Sequence, residues 1–492
     1  MREILTYVQR DYVDTVNVKA LSREAIDGML EKLDPHSAYV PAEDLEMANA
    51  SLVSDFDGIG VEFLIIKDSV EIVSPLSGGP SDRAGVRPGD RILKVNGYPL
   101  VGEGVNNELV FKRLRGPRNS QVQVELLRPL TGKILNISIR RDRIPTRSVD
   151  AGLMMEPGLG YIKLSTFSES TYEEFHKALK SLKKQGMTRL VLDLRDNPGG
   201  YMDKAVKIAD EFIADKKLIV YTDGKDPKYD NRYTANRKGD FEQGPLTVLL
   251  NEGSASAAEI LAGALQDHDR ATIVGRRSFG KGLVQLPIPL ADGGELRLTI
   301  SRYFTPSGRC IQKAYDADHA QEYDEDLSRR FSSGEAFFED SIHNVDTVRY
   351  KTNAGRIVYG GGGIRPDVFV PLDTVRHSLL LGQLYAEYIP QTIASRYAEQ
   401  NRDQLKTMGL KRFKYEFKIT PAMMEQVLVR TRREKIKFTN RQWQNTRETV
   451  AQSIKATIAR TAYGDNGYYA IMLEGDDDYQ RAIHKGWKIA MK

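Results

Sequence analysis

The stretch from Asn251 to Gln285 constrains the fold of this chain more than any other part of the sequence. An apolar run at 246–250 has the length of a buried strand, and the Asn-Glu-Gly after it is typical of a turn. A helix of small residues follows, then a second apolar strand. Such a unit predicts an α/β core with a serine at a helix N-terminus, where backbone N–H groups and the helix dipole favour negative charge.

The same stretch supplies groups for nucleophilic chemistry. Ser254 and Ser256 lie at the predicted helix start, Lys281 lies between two glycines in a later loop, and Gln285 follows four residues on. Lysine can activate a serine if burial lowers its pKa. A neutral amide oxygen can orient the amine without holding it protonated, as a carboxylate would. The residue types alone favour a simpler interpretation, an N-cap serine and a solvated lysine.

Two segments, SASAAEILAGALQD at 254–267 and VGRRSFGKGLVQ at 274–285, closely resemble the nucleophile and base segments of the carboxy-terminal processing proteases. That family consists of serine peptidases with a Ser-Lys dyad. Its spacing selects Ser256 as the nucleophile, with Lys281 as the base and Gln285 four residues after it. Ser254 then has an N-cap or packing role. The resemblance extends from about residue 5 to residue 372.

A further segment, DLRDNPGG at 193–200, is similar to the family segment that supplies an oxyanion-hole amide. It follows a predicted buried strand, and glycines at a strand-to-helix turn let the backbone approach a ligand closely. Gly199 and Gly200 are both candidates, and the choice between them stays open. The resemblance implies that the amide of Ala257 is the other donor. Taken alone, a Gly-Gly turn favours a plain helix start.

Residues 51–142 change character to short strands and glycine turns. The segments GIGVEF at 58–63 and RAGVRPGDRILKVNG at 83–97 resemble a PDZ domain, which adds a peptide as a strand to its sheet edge. By that resemblance, Ile59, Gly60 and Val61 form the loop that captures a terminal carboxylate. The alternative is a small β-domain with an ordinary glycine turn.

The two ends of the chain are predicted to be helical. Residues 1–50 include LEKLDPHSAYVPAEDL, which resembles the N-terminal helical segment of the family, and we assign no chemistry to them. Between 401 and 450, thirteen lysines and arginines accompany five aspartates and glutamates. A nucleic-acid or membrane-surface role is conceivable for this basic region. The pattern favours a solvated helical appendage that serves subunit contacts or substrate delivery.

Composition gives no positive signal for several classes of function. A net charge of +4 over 492 residues is too small to argue for a nucleic-acid partner, and no apolar run has membrane-spanning length. The sequence has no paired-cysteine or clustered-histidine motif, so we expect no metal and no cofactor. The single cysteine, Cys310, fits the cytoplasm and the cell envelope equally well. The family resemblance implies a bacterial periplasm or envelope location, with Met1 following a removed export segment.

The resemblance therefore implies an α/β crotonase-like protease core at 143–372, with an inserted PDZ domain (α+β) at 51–142. Helical N- and C-terminal regions at 1–50 and 373–492 complete the predicted organisation. The implied function is a serine endopeptidase that processes or degrades proteins from their C-terminal ends, with the PDZ domain binding the substrate tail. The expected partners are proteins or peptides with free C-terminal tails and a second copy of the chain through the helical ends, but no nucleic acid.

Two other functions are alternatives for this sequence. The first is an inactive PDZ-containing scaffold, which is disfavoured because nothing but catalysis requires Ser256, Lys281 and Gln285 together. The second is a crotonase-like enzyme that acts on a small acyl thioester. Such enzymes use oxyanion holes, but they have neither a Ser-Lys pair nor a peptide-binding module.

Overall fold

The computed structural model describes residues 2–66, 68–76, 78–129, 131–214, 216–315, 322–323, 325–342, 348–374 and 378–487. These residues form two compact units, and each unit combines segments that are distant in sequence. The first unit contains the described residues of 1–52, 158–371 and 481–492. The second unit contains those of 53–157 and 372–480.

Helices occur in both units and dominate the C-terminal part of the chain. No helix within the described ranges is long and apolar enough to cross a membrane. The helices are α1 (Arg2–Asp11), α2 (Val18–Glu31), α3 (Leu45–Ala48), α4 (Pro80–Arg83), α5 (Asn107–Leu114), α6 (Thr171–Lys184), α7 (Met202–Ala209), α8 (Ala257–Asp267), α9 (Asp326–Ser332), α10 (Leu379–Ala386), α11 (Ile389–Gln400), α12 (Arg402–Glu416), α13 (Pro421–Arg433), α14 (Asn440–Tyr463), α15 (Asp465–Met472) and α16 (Asp477–Lys485).

Strands are confined to the first three quarters of the chain as far as the structure describes it. They are β1 (Ala38–Val40), β2 (Asp55–Gly58), β3 (Val61–Ile66), β4 (Ser69–Pro75), β5 (Arg91–Val95), β6 (Tyr98–Pro99), β7 (Gln121–Arg128), β8 (Lys133–Arg140), β9 (Asp142–Pro145), β10 (Val149–Glu156), β11 (Leu159–Leu164), β12 (Arg189–Asp193), β13 (Leu218–Gly224), β14 (Arg232–Thr234), β15 (Leu246–Leu250), β16 (Thr272–Gly275), β17 (Leu283–Pro289), β18 (Glu295–Phe304), β19 (Arg349–Lys351), β20 (Ile357–Tyr359) and β21 (Val368–Phe369).

The first unit is centred on a parallel sheet with the order β11–β12–β15–β16–β21. Almost every residue of β11, β12, β15 and β16 is buried. Continuous apolar runs of this kind are typical of parallel strands that are covered on both faces. The carboxyl ends of parallel strands lie at one edge of the sheet, so the loops after β12, β15 and β16 come together there.

Helix α6 shows how the sequence covers this sheet. Its buried residues Phe175, Leu179 and Leu182 recur at helical spacing and form one apolar face. Two glutamates lie in its first turn and two lysines in its last turn, as the helix dipole favours. Helix α8 differs because all of its residues are buried. Its many alanines allow that close packing.

A second, antiparallel sheet in the first unit has the order β1–β18–β13–β14, and β17 also pairs with β18. Strand β18 thus lies beside both the N-terminal strand β1 and strand β17. The pairing of β17 with β18 is irregular between Val284 and Gln285. A bulge of this kind re-aims side chains, and bulges often lie next to active sites.

The second unit contains a small antiparallel sheet with the order β3–β4–β5–β7–β8, and β6 pairs with β5. A cluster of buried residues from this sheet and from α5 forms its core, with Val70, Ile92 and Val110 fully buried. Strand β3 lies at the edge of the sheet. The helices of residues 379–472 enclose a separate apolar core that includes Leu384, Phe413 and Ile454.

Some predicted elements are wrong. Residues 1–50 were predicted to be helical, but residues 38–40 form strand β1, because they pair with β18. The helix that follows β1, α3, is only four residues long. The polar segment at 313–346 includes helix α9, while residues 316–321, 324 and 343–347 lie outside the described residues.

The buried ion pair at the end of α8 supports this fold. Arg309 Nη2 donates to Asp267 Oδ1 at 2.8 Å and to Gln266 Oε1 at 2.7 Å, and the side chains of Arg309 and Asp267 are 0% and 1% exposed.

Replacing Arg309 by leucine leaves a buried carboxylate unpaired, which costs about 3–5 kcal/mol. Thermal unfolding should show a clear drop in Tm. The exposed Arg302→Leu is the matched control and should change Tm little; an equal loss in both variants would contradict a special role for the buried pair.

Candidate active site

Ser256 lies immediately before helix α8 in an uncommon backbone conformation. Its φ is +54° and its ψ is −114°, and its side chain is half-buried. A non-glycine residue at positive φ is strained, and it persists where the surrounding structure determines it. Here the Ser256 N–H donates to Glu259 Oε2 at 2.8 Å. The strained turn after β15 therefore holds a serine at the start of a buried helix.

Two backbone N–H groups beside Ser256 make no hydrogen bond with any described residue. One belongs to Ala257, the first residue of α8, where a helix leaves its N–H groups without partners. The other belongs to Gly200. The N–H of Gly199, in contrast, donates to Asn197 Oδ1 at 2.9 Å. Of the two predicted glycines, Gly200 is therefore the one whose amide remains available.

Both glycines are required by close packing. A Cβ at Gly199 would lie 2.7 Å from the Cβ of Ser256, and a Cβ at Gly200 would lie 2.2 Å from the carbonyl oxygen of Phe167. Their φ values are +99° and +135°, which L side chains rarely adopt. The turn after β12 thus contacts the turn after β15 without intervening side chains.

Lys281 lies in the loop after β16, and its side chain is half-buried. Its Nζ donates to Gln285 Oε1 at 2.9 Å. Burial lowers the pKa of Lys281 below the ordinary value of 10.5, with an opposing effect from the negative charge of Asp34. The amine therefore has a neutral acceptor and a reduced proton affinity, and both favour a base.

Gln285 is held by the turn at residues 34–37, to which sequence analysis assigned no chemistry. Gln285 Nε2 donates to the carbonyl oxygen of His36, so its Oε1 faces Lys281. The turn is fixed by Asp34, whose Oδ1 accepts from the N–H groups of His36 and Ser37, each at 2.8 Å. The N-terminal segment therefore positions the partner of the lysine.

Glu259 is a central residue of the site that sequence analysis missed. It is 0% exposed, and each of its two carboxylate oxygens accepts two hydrogen bonds. Oε1 accepts from Ser278 Oγ at 2.6 Å and from the Gly280 N–H at 2.7 Å. Oε2 accepts from the N–H groups of Ser256 and Lys281 at 2.8 and 2.9 Å. Burial raises the pKa of Glu259 to about 7 against these four donors. The sequence feature that could have identified Glu259 is its position as a carboxylate in the first turn of an otherwise apolar helix.

Tyr303 gives a second link between the same two segments. Its hydroxyl donates to the carbonyl oxygens of Lys281 at 2.6 Å and of Ser256 at 3.1 Å. The side chain is buried, and burial raises the pKa of Tyr303 well above 10. Glu259 and Tyr303 together fix the backbone of Ser256 relative to that of Lys281.

In the described structure, Ser256 Oγ and Lys281 Nζ are not hydrogen-bonded to each other. Lys281 instead donates to Gln285. Catalytic hydrogen bonds are often long in the absence of a substrate and tighten only when one binds, so this separation is compatible with a dyad.

Three segments of the chain match family models. Residues 158–320 match Peptidase family S41, residues 71–128 match the PDZ domain, and residues 380–464 match a family of unknown function, DUF8443. The first two segments lie in the parts of the chain where the sequence resembles a protease core and a PDZ domain.

Curated relatives agree with these matches. A carboxy-terminal-processing protease of Bartonella bacilliformis is 40% identical over 314 residues, which cover 63% of this chain and 71% of the relative. The carboxy-terminal processing protease CtpB of Bacillus subtilis is 38% identical over 310 residues, which cover 62% of this chain and 64% of the relative. The chain belongs to the carboxy-terminal processing proteases of peptidase family S41. It is therefore a serine-type peptidase by family.

Among solved structures, a photosystem II D1 C-terminal processing protease is 27% identical, with 78% of this chain and 90% of that chain covered and a TM-score of 0.39.

Ser254, the other serine of the nucleophile segment of this protease, is 0% exposed. Its Oγ donates to the carbonyl oxygen of Leu194 at 2.8 Å and accepts from the Asn251 N–H at 3.0 Å. It therefore links the loops after β12 and β15. The predicted N-cap role is wrong, because Ser256 takes that position, and the predicted packing role fits these contacts.

The predicted carboxylate loop of the protease lies in the second unit at the start of edge strand β3. Ile59 is buried, and its carbonyl oxygen accepts from Ser81 Oγ at 2.6 Å. Gly60 has φ +67°, and a Cβ there would lie 2.9 Å from Ile144. Val61 begins β3. These contacts fix the backbone of the loop that precedes the sheet edge.

One cluster of metal-ligand types occurs within the described residues. His176, Glu211 and Asp240 place ligand atoms within 4.8 Å of one another. Arg237 lies 3.1 Å from Glu211, and Lys183 lies 2.9 Å from Asp240. These cations already neutralise the carboxylates, so the cluster is explained as an ion-pair network.

The contacts of Glu259 predict the effect of its replacement by glutamine. Glutamine keeps one acceptor oxygen but places an NH2 group against two buried donors, which costs about 1–3 kcal/mol for each unsatisfied group. We expect a lower Tm and a fall of more than tenfold in kcat, with KM little changed, because Ser256 and Lys281 lose their common anchor. The control is Glu252→Gln, since Glu252 lies in the same loop as Ser256 but pairs with Arg276. A normal kcat in the Glu259 variant would contradict the positioning role.

Proposed function

We propose that this chain is an endopeptidase that uses Ser256 as nucleophile and Lys281 as general base. The observation that carries the proposal is the hydrogen bond from Lys281 Nζ to the neutral Gln285 amide, in surroundings that lower the pKa of the lysine. A carboxylate in place of Gln285 would hold the lysine protonated and make it useless as a base. The geometry thus supports an amine that can accept a proton.

The proposed reaction begins when Ser256 Oγ attacks the carbonyl carbon of the scissile peptide bond. Its proton passes to neutral Lys281 Nζ, and the carbonyl oxygen becomes an oxyanion. The N–H groups of Ala257 and Gly200 donate to that oxyanion, assisted by the N-terminus of α8. Lys281 then gives its proton to the leaving amine as the C–N bond breaks. Water, activated by the same lysine, hydrolyses the acyl-enzyme.

A serine–histidine mechanism is not supported by the described contacts. His36 is the histidine beside the lysine, but its ring Nε2 hydrogen-bonds to Tyr323 at 2.7 Å. Burial and then the positive charge of Lys281 lower the pKa of His36 to about 4. The imidazole is neutral near pH 7, and the carbonyl group of His36 is the part that serves the site.

For the second unit, we propose that edge strand β3 accepts the C-terminal tail of a protein or peptide substrate. The side chains of Val61, Phe63 and Ile65 pack against the core of this unit, and Phe63 lies edge-on to Phe111 of α5 with 5.7 Å between ring centroids. An added strand would place alternate side chains against this apolar face, and its carboxylate would lie at residues 59–61. This arrangement supports processing from the C-terminal end. The inactive scaffold is disfavoured by the intact site.

The protease core is of the crotonase-like kind, as its parallel sheet and the amide pair at a helix start suggest. The chain acts in a bacterial periplasm or cell envelope, which fractionation of cells that produce it would test. A homo-oligomer through the helical ends, and the lack of a nucleic-acid partner, remain parts of the same proposal.

The nucleophile assignment predicts different outcomes for the two serines. Ser256→Ala should abolish cleavage of unfolded casein, because the hydroxyl that attacks the carbonyl is gone. Ser254→Ala should retain a substantial fraction of kcat, since Ser254 only links two loops, although its Tm should fall. Cleavage rates and thermal unfolding of both variants test this. Full activity in Ser256→Ala would end the proposal, and acyl-thioester hydrolysis without peptide cleavage would favour the crotonase-like enzyme.

The base assignment predicts a pH dependence. Only neutral Lys281 accepts a proton, so kcat/KM should rise with pH through the pKa of Lys281, which burial places below the ordinary 10.5. Lys281→Arg should be inactive because a guanidinium stays charged. Single-turnover cleavage of a short peptide across the pH range measures the effect. An arginine variant with near-normal rates and an unchanged pH profile would show that the lysine is not the base.

A further inference from the structure

A groove in the second unit has no role in the proposed peptidase reaction. It lies between helices α11 and α13 and has a volume of about 340 Å³. Its apolar wall includes Ile393, Ala422 and Val429, and the Val429 side chain is 53% exposed. The volume falls within the range of small-ligand sites, which are usually apolar with a few placed polar groups.

Two arginines contribute the positive charge of this groove. Arg396 comes from α11 and Arg430 from α13. Neither forms an ion pair or a side-chain hydrogen bond with any described residue. Burial lowers the pKa of Arg430, and the positive charge of Arg396 lowers it further, against opposing effects of the negative charges of Glu71 and Glu434. Like charges that face one another across a groove favour an anion between them. The one carboxylate in the lining, Glu425, lies 3.7 Å from Arg432.

Arg430 also begins a strongly basic segment, which we call the basic corner and define as residues 430–441. It contains six lysines and arginines and one glutamate. Except for Arg430, these basic side chains are exposed. The half-buried Ile436 and Phe438 pack against the apolar core of the helical region, so the corner is anchored to that core. The groove therefore opens beside a fixed cluster of positive charge.

We propose that the groove and the basic corner together bind an anionic phospholipid surface. One lipid phosphate lies between Arg396 and Arg430, since guanidinium groups match phosphate geometry. The glycerol and acyl portions of that lipid contact Ile393, Ala422 and Val429. The basic corner faces neighbouring anionic headgroups, and clusters of four to eight lysines and arginines are typical of such contacts.

The lining of the groove distinguishes lipid from other anions. A single-stranded nucleic acid needs aromatic side chains on which its bases stack, and the residues that line the groove include none. Free phosphate would use the two arginines but gain nothing from the apolar wall. A phospholipid uses both, and it also explains why the basic cluster lies next to an exposed valine.

The test is sedimentation of the intact chain with vesicles of phosphatidylcholine alone or mixed with phosphatidylglycerol. We expect binding to the mixed vesicles, and weaker binding when salt rises from about 0.1 M to about 0.5 M, because salt screens exposed charges. An Arg396→Gln/Arg430→Gln variant should lose roughly fivefold in affinity per arginine. Its cleavage of a short soluble peptide and its Tm should stay unchanged, which shows that the fold is intact.

The matched control is Lys406→Gln/Lys411→Gln, which removes the same charge from exposed positions on α12. It should lose much less affinity than the groove variant. Equal losses in both variants would overturn the groove as a site. No preference for phosphatidylglycerol would overturn the proposal entirely. Full competition by inorganic phosphate, or tighter binding to a DNA duplex than to vesicles, would assign the site to a soluble anion or to nucleic acid instead.

Discussion

The buried carboxylate of Glu259 is the interaction on which the active site depends. A charge this far from solvent is costly unless hydrogen bonds compensate it, and here four donors from two separate loops offset part of that cost. Because two of the donors are the N–H groups of Ser256 and Lys281, the same carboxylate that must be satisfied also sets the distance between the two backbones. Ser256, which supplies one of these donors, has a positive φ of 54°.

The electrostatics around the lysine are a balance rather than a single effect. Burial lowers the pKa of Lys281, while the negative charges of Asp34 and Glu259 oppose that change and the positive charge of Arg297 adds to it. None of these charged groups accepts a hydrogen bond from Lys281 Nζ. The acceptor is the side-chain oxygen of Gln285. The structure thus separates two tasks. Charged groups at a distance hold the loops, and a neutral amide in contact with the amine orients it.

Local patterns were sufficient to predict much of the core from sequence. The buried residues of α6 recur at helical spacing, and the buried strands β12 and β15 follow the predicted apolar runs, because periodicity of apolar residues is a local signal. The contact of His36 with Gln285 was not predictable in the same way, since it spans 249 residues. The hydrogen bond from the Gly199 N–H to the side chain of Asn197 was likewise not predictable, because no spacing rule reveals that acceptor.

Charge in the helical region shows why a whole-chain total can mislead. A net charge of +4 argues against polyanion binding only if the charge is spread evenly. Residues 401–450 alone carry thirteen basic and five acidic residues, and the acidic residues at 474–478 offset part of that excess elsewhere in the helical region. Attraction to a charged surface falls off within a Debye length, so the local arrangement of charge decides it and the sum over the chain does not. Arg396 and Arg430 of the α11–α13 groove, which form no ion pair with any described residue, are therefore more informative about partners than the composition of the whole protein.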